Sequence, residues 1–137
     1  MPAGYRTVPH TADVRIEAWA PSREECVAQA VSGMLASFLD LSAARPVASV
    51  SSRIVADTDE DLLVGALDEV IYRLDTEDRV AVAVALAPRA GGVDLTLRMA
   101  DPSGVVPIGA VPKAVSLHEL RFEGGPDGWA CSVTVDV

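Results

Sequence analysis

Residues 80–99 read VAVAVALAPRAGGVDLTLRM and contain the clearest β-hairpin of the sequence. Valine and leucine alternate with alanine through residues 80–87, and apolar residues alternate with polar ones through residues 93–99. Alternation of this kind is typical of β-strands, and the Pro- and Gly-containing residues 88–92 predict a turn between them. The small alanines further predict that something packs closely on the second face of the first strand.

Strands are also predicted on both sides of this hairpin. The segments concerned alternate or are rich in Val, Ile and Ser, and they end at Pro- or Gly-containing stretches. A loop rich in Gly and Pro is predicted at residues 101–112, and a turn at residues 124–128. The additional strands are residues 14–20, 47–56, 114–122 and 129–137.

Two segments show the spacing of apolar residues that is typical of helices. The first begins at Ser22, has Glu25 in the position that completes a capping box, and extends to near Asp40. The second follows the acidic run at residues 57–61. That run lacks the Gly and the distant Glu of an EF-hand loop. We interpret its carboxylates as favourable charges at a helix N-terminus.

The order of these elements is strand, helix, strand, helix and then four strands. The prediction is therefore an α+β fold, with two helices packed on a mostly antiparallel β-sheet in a two-layer arrangement. A doubly wound parallel fold is disfavoured, because no helices separate the last four strands. The length of 137 residues is that of one domain, so residues 1–137 are predicted to form a single domain.

Composition limits the classes of function. A net charge of −9 argues against strong direct binding of nucleic acid, which needs clustered Lys and Arg. It suits cations or a basic protein surface, although surplus acid also serves solubility alone. Cys26 and Cys131 lie far apart, without a neighbouring Cys or His, and are predicted to be small buried residues in a reducing compartment. No signal-peptide or membrane-spanning run is seen, so the expected location is cytoplasmic, without membrane contact.

Candidate functional residues lie near the two ends of the chain. If the first and last predicted strands are neighbours, Asp13, Asp136 and the carboxylate of Val137 converge. Such oxygen donors suit a hard cation such as Ca²⁺ or Mg²⁺. The alternative is that Asp13 caps a turn and Asp136 is a solvated strand-end residue. Lys113 is the only lysine, and it is either a required amine or a residue left by a bias toward arginine.

Several motifs taken together resemble the archease family over nearly the whole length. No single motif is decisive, but their order and spacing are specific in combination. Departures from the family pattern are Asp68 where Asn is usual, Ala66 where Trp is common, and Ser116-Leu117 in place of Thr-Tyr. The matching motifs are His10-Thr11-Ala12-Asp13, Leu62-Leu63, Asp68-Glu69, Asp75-Thr76-Glu77, Lys113-Ala114-Val115 with His118, and Asp136-Val137.

The resemblance implies an accessory protein and not an enzyme. Archeases assist the GTP-dependent RNA ligase of tRNA splicing and RNA repair, by promoting its guanylylation and multiple turnover. Two alternatives from other classes stay open at this point. One is a divalent-metal-dependent phosphoryl-transfer or hydrolytic enzyme, and the other is a general chaperone-like module.

The resemblance also implies roles for individual residues. The family binds a divalent cation, typically Ca²⁺. Asp13 and Asp136 would be side-chain ligands, and Val137 would add its terminal carboxylate or main-chain oxygen. Lys113 would be a functional residue beside the cation, and His10 would position the loop that carries Asp13. His118 is expected to be a structural histidine.

Overall fold

The structure, a computed structural model, describes residues 2–9 and 13–137. The described residues form two α-helices, nine β-strands and a 3-10 helix at Pro102–Gly104. The helices are α1 (Arg23–Ala36) and α2 (Asp59–Thr76). The strands are β1 (Gly4–Pro9), β2 (Asp13–Ala20), β3 (Leu39–Asp40), β4 (Ala48–Val55), β5 (Val80–Arg89), β6 (Gly92–Ala100), β7 (Val106–Pro107), β8 (Ala114–Gly125) and β9 (Gly128–Asp136).

The first and last long strands form the centre of a four-stranded antiparallel sheet with the order β1-β2-β9-β8. In the central pair, Ile16 of β2 lies opposite Val133 of β9, and both are buried. Their neighbours Arg15 and Thr134 are also opposite each other and lie on the other face. The sheet therefore has an apolar inner face toward the helices and a polar outer face.

The predicted hairpin is confirmed as β5 and β6 of a three-stranded antiparallel sheet with the order β4-β6-β5. Leu95 and Leu97 of β6 are fully buried on its inner face. The predicted close cover over the alanines is wrong at Ala85 and Ala87, which are exposed. These alanines pair with residues on the polar side of β6, so they lie on the face that points away from the core.

Both helices begin at a side-chain cap: the predicted one at Ser22, and one at Thr58 that was not predicted from the sequence. The Ser22 hydroxyl oxygen accepts a hydrogen bond from the Glu25 N–H at 3.2 Å, and the Thr58 hydroxyl oxygen accepts one from the Asp61 N–H at 3.1 Å. The acidic run lies in the first turn of α2, as predicted. Helix α1 ends at Ala36, short of the predicted end near Asp40. Ser37 closes it there, because its hydroxyl donates to the Met34 carbonyl oxygen at 2.6 Å.

The helices lie against the inner faces of both larger sheets. Helix α1 contacts β1, β2 and β9 of the first sheet and β5 of the second, while α2 contacts β8, β4, β5 and β6. Leu35 of α1 and Leu63 of α2 are fully buried in one core with the strand residues. The predicted α+β fold, two helices on antiparallel strands, is thus confirmed, with the strands divided between two sheets and a two-stranded ribbon.

Three strands lie outside the sequence prediction. Strand β1 is a short edge strand next to β2, and its Tyr5 and Arg6 are exposed, so it lacks a strong apolar alternation. Strands β3 and β7 are two-residue segments that pair with each other. Strand β7 lies within the predicted loop at residues 101–112, and the Ile108 N–H attaches this loop to the Phe38 carbonyl oxygen at 2.8 Å.

We predict that Gly92→Ala destabilises the fold by at least about 2 kcal/mol, because a Cβ at this position would overlap the carbonyl oxygen of Ile54 on the neighbouring strand. The matched control is Gly125→Ala, where a Cβ would meet nothing within 4 Å. We expect the control to change the free energy of unfolding by about 0.5 kcal/mol or less. Urea unfolding measures both, and equal effects would contradict the close β4–β6 approach.

Candidate cation site at the end of the four-stranded sheet

Two aspartates face each other at one end of the four-stranded sheet. Asp13 is the first residue of β2, and Asp136 is the last residue of β9. The antiparallel register places them directly opposite each other. Directly opposed residues have Cβ atoms about 4.5–5.5 Å apart and side chains on the same face. The register therefore brings the two carboxylates together on the outer face, where Asp13 is half-buried and Asp136 is exposed.

Lys113 and Val137 lie at the same end of the sheet. The Lys113 N–H donates a hydrogen bond to the Asp136 carbonyl oxygen at 2.8 Å, and Ala114 pairs with Asp136 as β8 begins. Val137 directly follows Asp136 in the chain. The Lys113 residue is exposed to solvent. Three strands thus hold Asp13, Asp136, Val137 and Lys113 in one place. Their chemical roles stay predictions, and His10 lies outside the described residues.

The outer face beside the two aspartates is polar and open. Arg15 and Glu17 follow Asp13 on this face, and Glu17 forms an ion pair with Arg6 and a second one, at 3.4 Å, with Arg15. A cavity of about 390 Å³ lies next to Asp13, and Arg15 and Thr134 line it. Asp13 therefore borders a cavity that is lined mainly by polar residues of the outer face.

A bulge in β8 forms one wall of this cavity. The pairing of β8 with β9 shifts between Ser116 and Arg121, so residues 117–120 project from the ladder. Glu119 has a φ angle of 58°, in the left-handed region. The His118 side chain is 85% exposed, and its Nε2 lies 3.6 Å from a Glu119 carboxylate oxygen. The expectation of a structural histidine is therefore wrong: His118 lines the cavity instead of packing in the core.

The donor set at the sheet end fits a hard cation. Opposed like charges are unfavourable across an antiparallel pair, and a cation between Asp13 and Asp136 would remove that cost. Within residues 2–9 and 13–137, no group of three or more His, Cys, Asp or Glu side chains could hold a metal ion. The two carboxylates offer oxygen donors, the ligand type that Ca²⁺ and Mg²⁺ take. They do not match the nitrogen and sulfur sites typical of Zn²⁺.

Other motif residues of the family resemblance lie away from this site. Arg73 of α2 binds the Glu69 and Glu77 carboxylates, each at 2.8 Å, and donates to the Ser52 hydroxyl at 2.9 Å. Ser52 also donates to Glu69 at 2.7 Å. This cluster joins α2 to β4. Glu69 and Glu77 therefore have a structural role, because they hold the Arg73 guanidinium in place. Ser116 and Thr134, in contrast, line the cavity, and the sequence analysis did not identify them. For Thr134 the available signal was strand alternation, which puts it on the same face as Asp136.

The two cysteines are buried, as the sequence predicts. No helix in the described part of the chain is both long and apolar enough to cross a membrane.

Comparison with known proteins gives a consistent result. The model of the Archease protein family (MTH1598/TM1083) matches residues 5–137. A Mycobacterium tuberculosis protein named "Probable protein archease" is 56% identical over 135 residues, which cover 98% of this chain and 75% of the relative.

Two solved structures share the fold. The solution structure of Methanobacterium thermoautotrophicum protein 1598 has a TM-score of 0.77 at 22% identity, over 98% of this chain and 99% of that one. The crystal structure of a Thermotoga maritima archease, described as a possible chaperone, has a TM-score of 0.69 at 19% identity, over 96% of each chain. The sequence match to the family model and to the mycobacterial relative shows that this chain belongs to the archease family.

Proposed function

We propose that this chain is a cation-binding accessory protein that activates a GTP-dependent RNA ligase. It promotes guanylylation and multiple turnover of the ligase, in tRNA splicing and RNA repair in the cytoplasm. One observation carries the proposal: the register of β2 with β9 sets Asp13 directly opposite Asp136, with the Lys113 main chain hydrogen-bonded beside them. Family membership supports an accessory role of the archease type.

The cation part of the proposal assigns a role to each residue at the sheet end. Asp13 and Asp136 supply carboxylate oxygens, and Val137 supplies its terminal carboxylate or a main-chain oxygen. Ca²⁺ suits this set best, because it accepts flexible oxygen coordination with water, and Mg²⁺ is the next choice. The bound cation is a fixed local charge that can meet a phosphate or a carboxylate of the partner. His10 takes the role that the family resemblance implies, which is to position Asp13.

Lys113 serves as a charged contact beside the cation. It is exposed, and its backbone position is held by the hydrogen bond to Asp136. A compact ammonium group next to a divalent ion suits a phosphate of the ligase-bound nucleotide or a ligase carboxylate. The partner supplies the catalytic chemistry, and the net charge of −9 argues that the RNA is held by the ligase and not by this chain.

A second candidate is a general chaperone, since the Thermotoga maritima archease is described as a possible chaperone. A chaperone of that kind would act on unrelated proteins and would need neither Asp13 nor Lys113. The two proposals therefore differ in their dependence on the sheet-end residues.

We predict that Ca²⁺ stabilises the protein and that Asp136→Asn removes this effect. Ligand at about 100 times its dissociation constant adds about 2.7 kcal/mol to the free energy of unfolding. With a chelator present, the variant should equal or exceed the original protein in stability, because the opposed like charges are gone. Thermal melts with Ca²⁺, with Mg²⁺ and with chelator measure this.

The matched control is Asp127→Asn, which removes one exposed carboxylate in the β8–β9 turn, far along the strands from the site. It should keep the full response to Ca²⁺. A response that is lost equally in both variants would indicate general charge screening and would contradict a site at Asp13 and Asp136.

We predict that Asp13→Ala, Asp136→Ala and Lys113→Ala each reduce stimulation of the cognate ligase by at least about tenfold, while the protein alone neither joins nor cleaves RNA. The reason is that each variant removes one of the charges at the sheet end. A multiple-turnover ligation assay, with guanylylation of the ligase followed in parallel, measures the effect. Arg45→Ala, at an exposed cation elsewhere on the surface, is the control and should retain stimulation.

Three other outcomes have distinct meanings. Full stimulation by all three variants would show that the site assignment is wrong. Chelator-sensitive turnover of a nucleotide or phosphodiester by the pure protein would favour a metal-dependent enzyme. Suppression of aggregation of unrelated proteins by the Lys113→Ala variant would favour the chaperone.

We predict that extending the 137-residue chain beyond Val137 lowers its affinity for Ca²⁺, because the extension converts the carboxylate of Val137 into a neutral amide. Calorimetric titration of the two chains gives the comparison. Equal affinities would show that Val137 contributes only a main-chain oxygen or nothing to the cation site. The proposed ligand roles of Asp13 and Asp136 would not be changed by that result.

A further inference from the structure

The two cysteines are neighbours in the core, although they lie at opposite ends of the sequence. Cys26 is on α1, and its thiol donates a hydrogen bond to the Ala18 carbonyl oxygen at 3.6 Å. Ala18 is paired directly with Cys131 across the β2–β9 ladder. The packing of α1 on the inner face of the sheet therefore sets the Cys26 sulfur over the strand pair that carries Cys131.

The two thiols affect each other's ionisation. Hydrogen bonding with the Cys131 thiol lowers the pKa of Cys26. The same hydrogen bond, together with burial, raises the pKa of Cys131. The pair is thus asymmetric: Cys26 is the sulfur that forms a thiolate more readily, and Cys131 is the proton donor beside it.

We propose that Cys26 and Cys131 form a redox modification site, which closes to an intramolecular disulfide when the protein meets a hydroperoxide. The geometry carries the proposal: the Cys26 sulfur lies 3.6 Å from the carbonyl oxygen of Ala18, and Ala18 is the direct cross-strand partner of Cys131. This inference does not depend on the proposed function.

The reaction balances in two steps. The Cys26 sulfur attacks one peroxide oxygen, the O–O bond breaks, and Cys26 becomes a sulfenic acid while the other oxygen leaves as water or an alcohol. The Cys131 sulfur then attacks the Cys26 sulfur, an S–S bond forms, and the sulfenic oxygen leaves as water with the Cys131 proton. Two thiols lose two electrons in total, and the peroxide gains them.

Burial sets the rate and the selectivity of this reaction. Cys26 is 0% exposed and Cys131 is 6% exposed. A small peroxide must therefore enter by local opening, so oxidation should be slower than that of a surface thiol. Once Cys26 is oxidised, Cys131 is its neighbour in the core, which favours the disulfide over further oxidation to sulfinic acid.

The disulfide would join α1 to β9, the strand that ends at Asp136. The bond would also close a loop that spans most of the chain. Long loops of this kind restrict the unfolded chain strongly, so the oxidised protein should melt at a higher temperature, by roughly 5 °C or more. Dithiothreitol should reverse both the bond and the shift.

The test treats dilute, folded, full-length protein with hydrogen peroxide, then denatures it and alkylates the free thiols before mass spectrometry. The expected product is a monomer about 2 Da lighter than the reduced protein, without alkylation, and restored by dithiothreitol. A peptide that contains both cysteines after digestion should confirm the pairing. Two alkylated cysteines after peroxide treatment, or sulfinic acid at Cys26 without a disulfide, would overturn the proposal.

Cys131→Ala is the matched control, since it removes the resolving thiol and keeps Cys26. Its sulfenic acid should persist and be captured by dimedone, whereas the original protein should give little dimedone adduct. Equal dimedone capture in both proteins would show that the two sulfurs do not react with each other. The outcome for the original protein decides the proposal even if the variant folds poorly.

Discussion

The pairing of β2 with β9 is the constraint on which the rest of this structure depends. One register sets Ile16 against Val133 in the core, Asp13 against Asp136 at the sheet end, and Ala18 against Cys131 beneath α1. A slip of one residue would move each of these side chains to the opposite face. The buried apolar residues oppose such a slip, because it would expose them to water. The apolar core therefore fixes the position of Asp13 opposite Asp136, although no core side chain among the described residues lies at that end of the outer face.

The other elements support this central pair from both sides. Helix α1 covers the inner face of the four-stranded sheet and also contacts β5, so it couples the two sheets. Helix α2 is fixed to β4 by Arg73, whose guanidinium binds Glu69, Glu77 and Ser52. The outer face of the four-stranded sheet, in contrast, contacts neither helix. That arrangement leaves the acidic end open to solvent on a rigid support, as a site for a protein partner requires.

Much of the fold could be predicted because its signals are local. Alternation predicted the β5–β6 hairpin, and Ser22 and the acidic run predicted the starts of both helices. Strand β1 was missed, since an edge strand with exposed side chains lacks a strong period. The division into two sheets, and the proximity of Cys26 to Cys131, depend on long-range packing that periodicity does not encode. The bulge at residues 117–120 also has no local signal, because Glu119 adopts a left-handed φ without being a glycine.

The site could be predicted in part. The sequence suggested that Asp13 and Asp136 converge if their strands are neighbours, and the register places them opposite each other. The cavity beside them could not be predicted, because Arg15, Ser116 and Thr134 come from three strands whose pairing was unknown.

The most direct test of the central claim is a Ca²⁺ titration followed by amide chemical shifts of the isotope-labelled protein. The account predicts saturable shifts at Asp13, Lys113 and Asp136, which lie at one end of the adjacent strands β2, β8 and β9. Shifts confined to the acidic first turn of α2, or no saturable shifts at all, would contradict it.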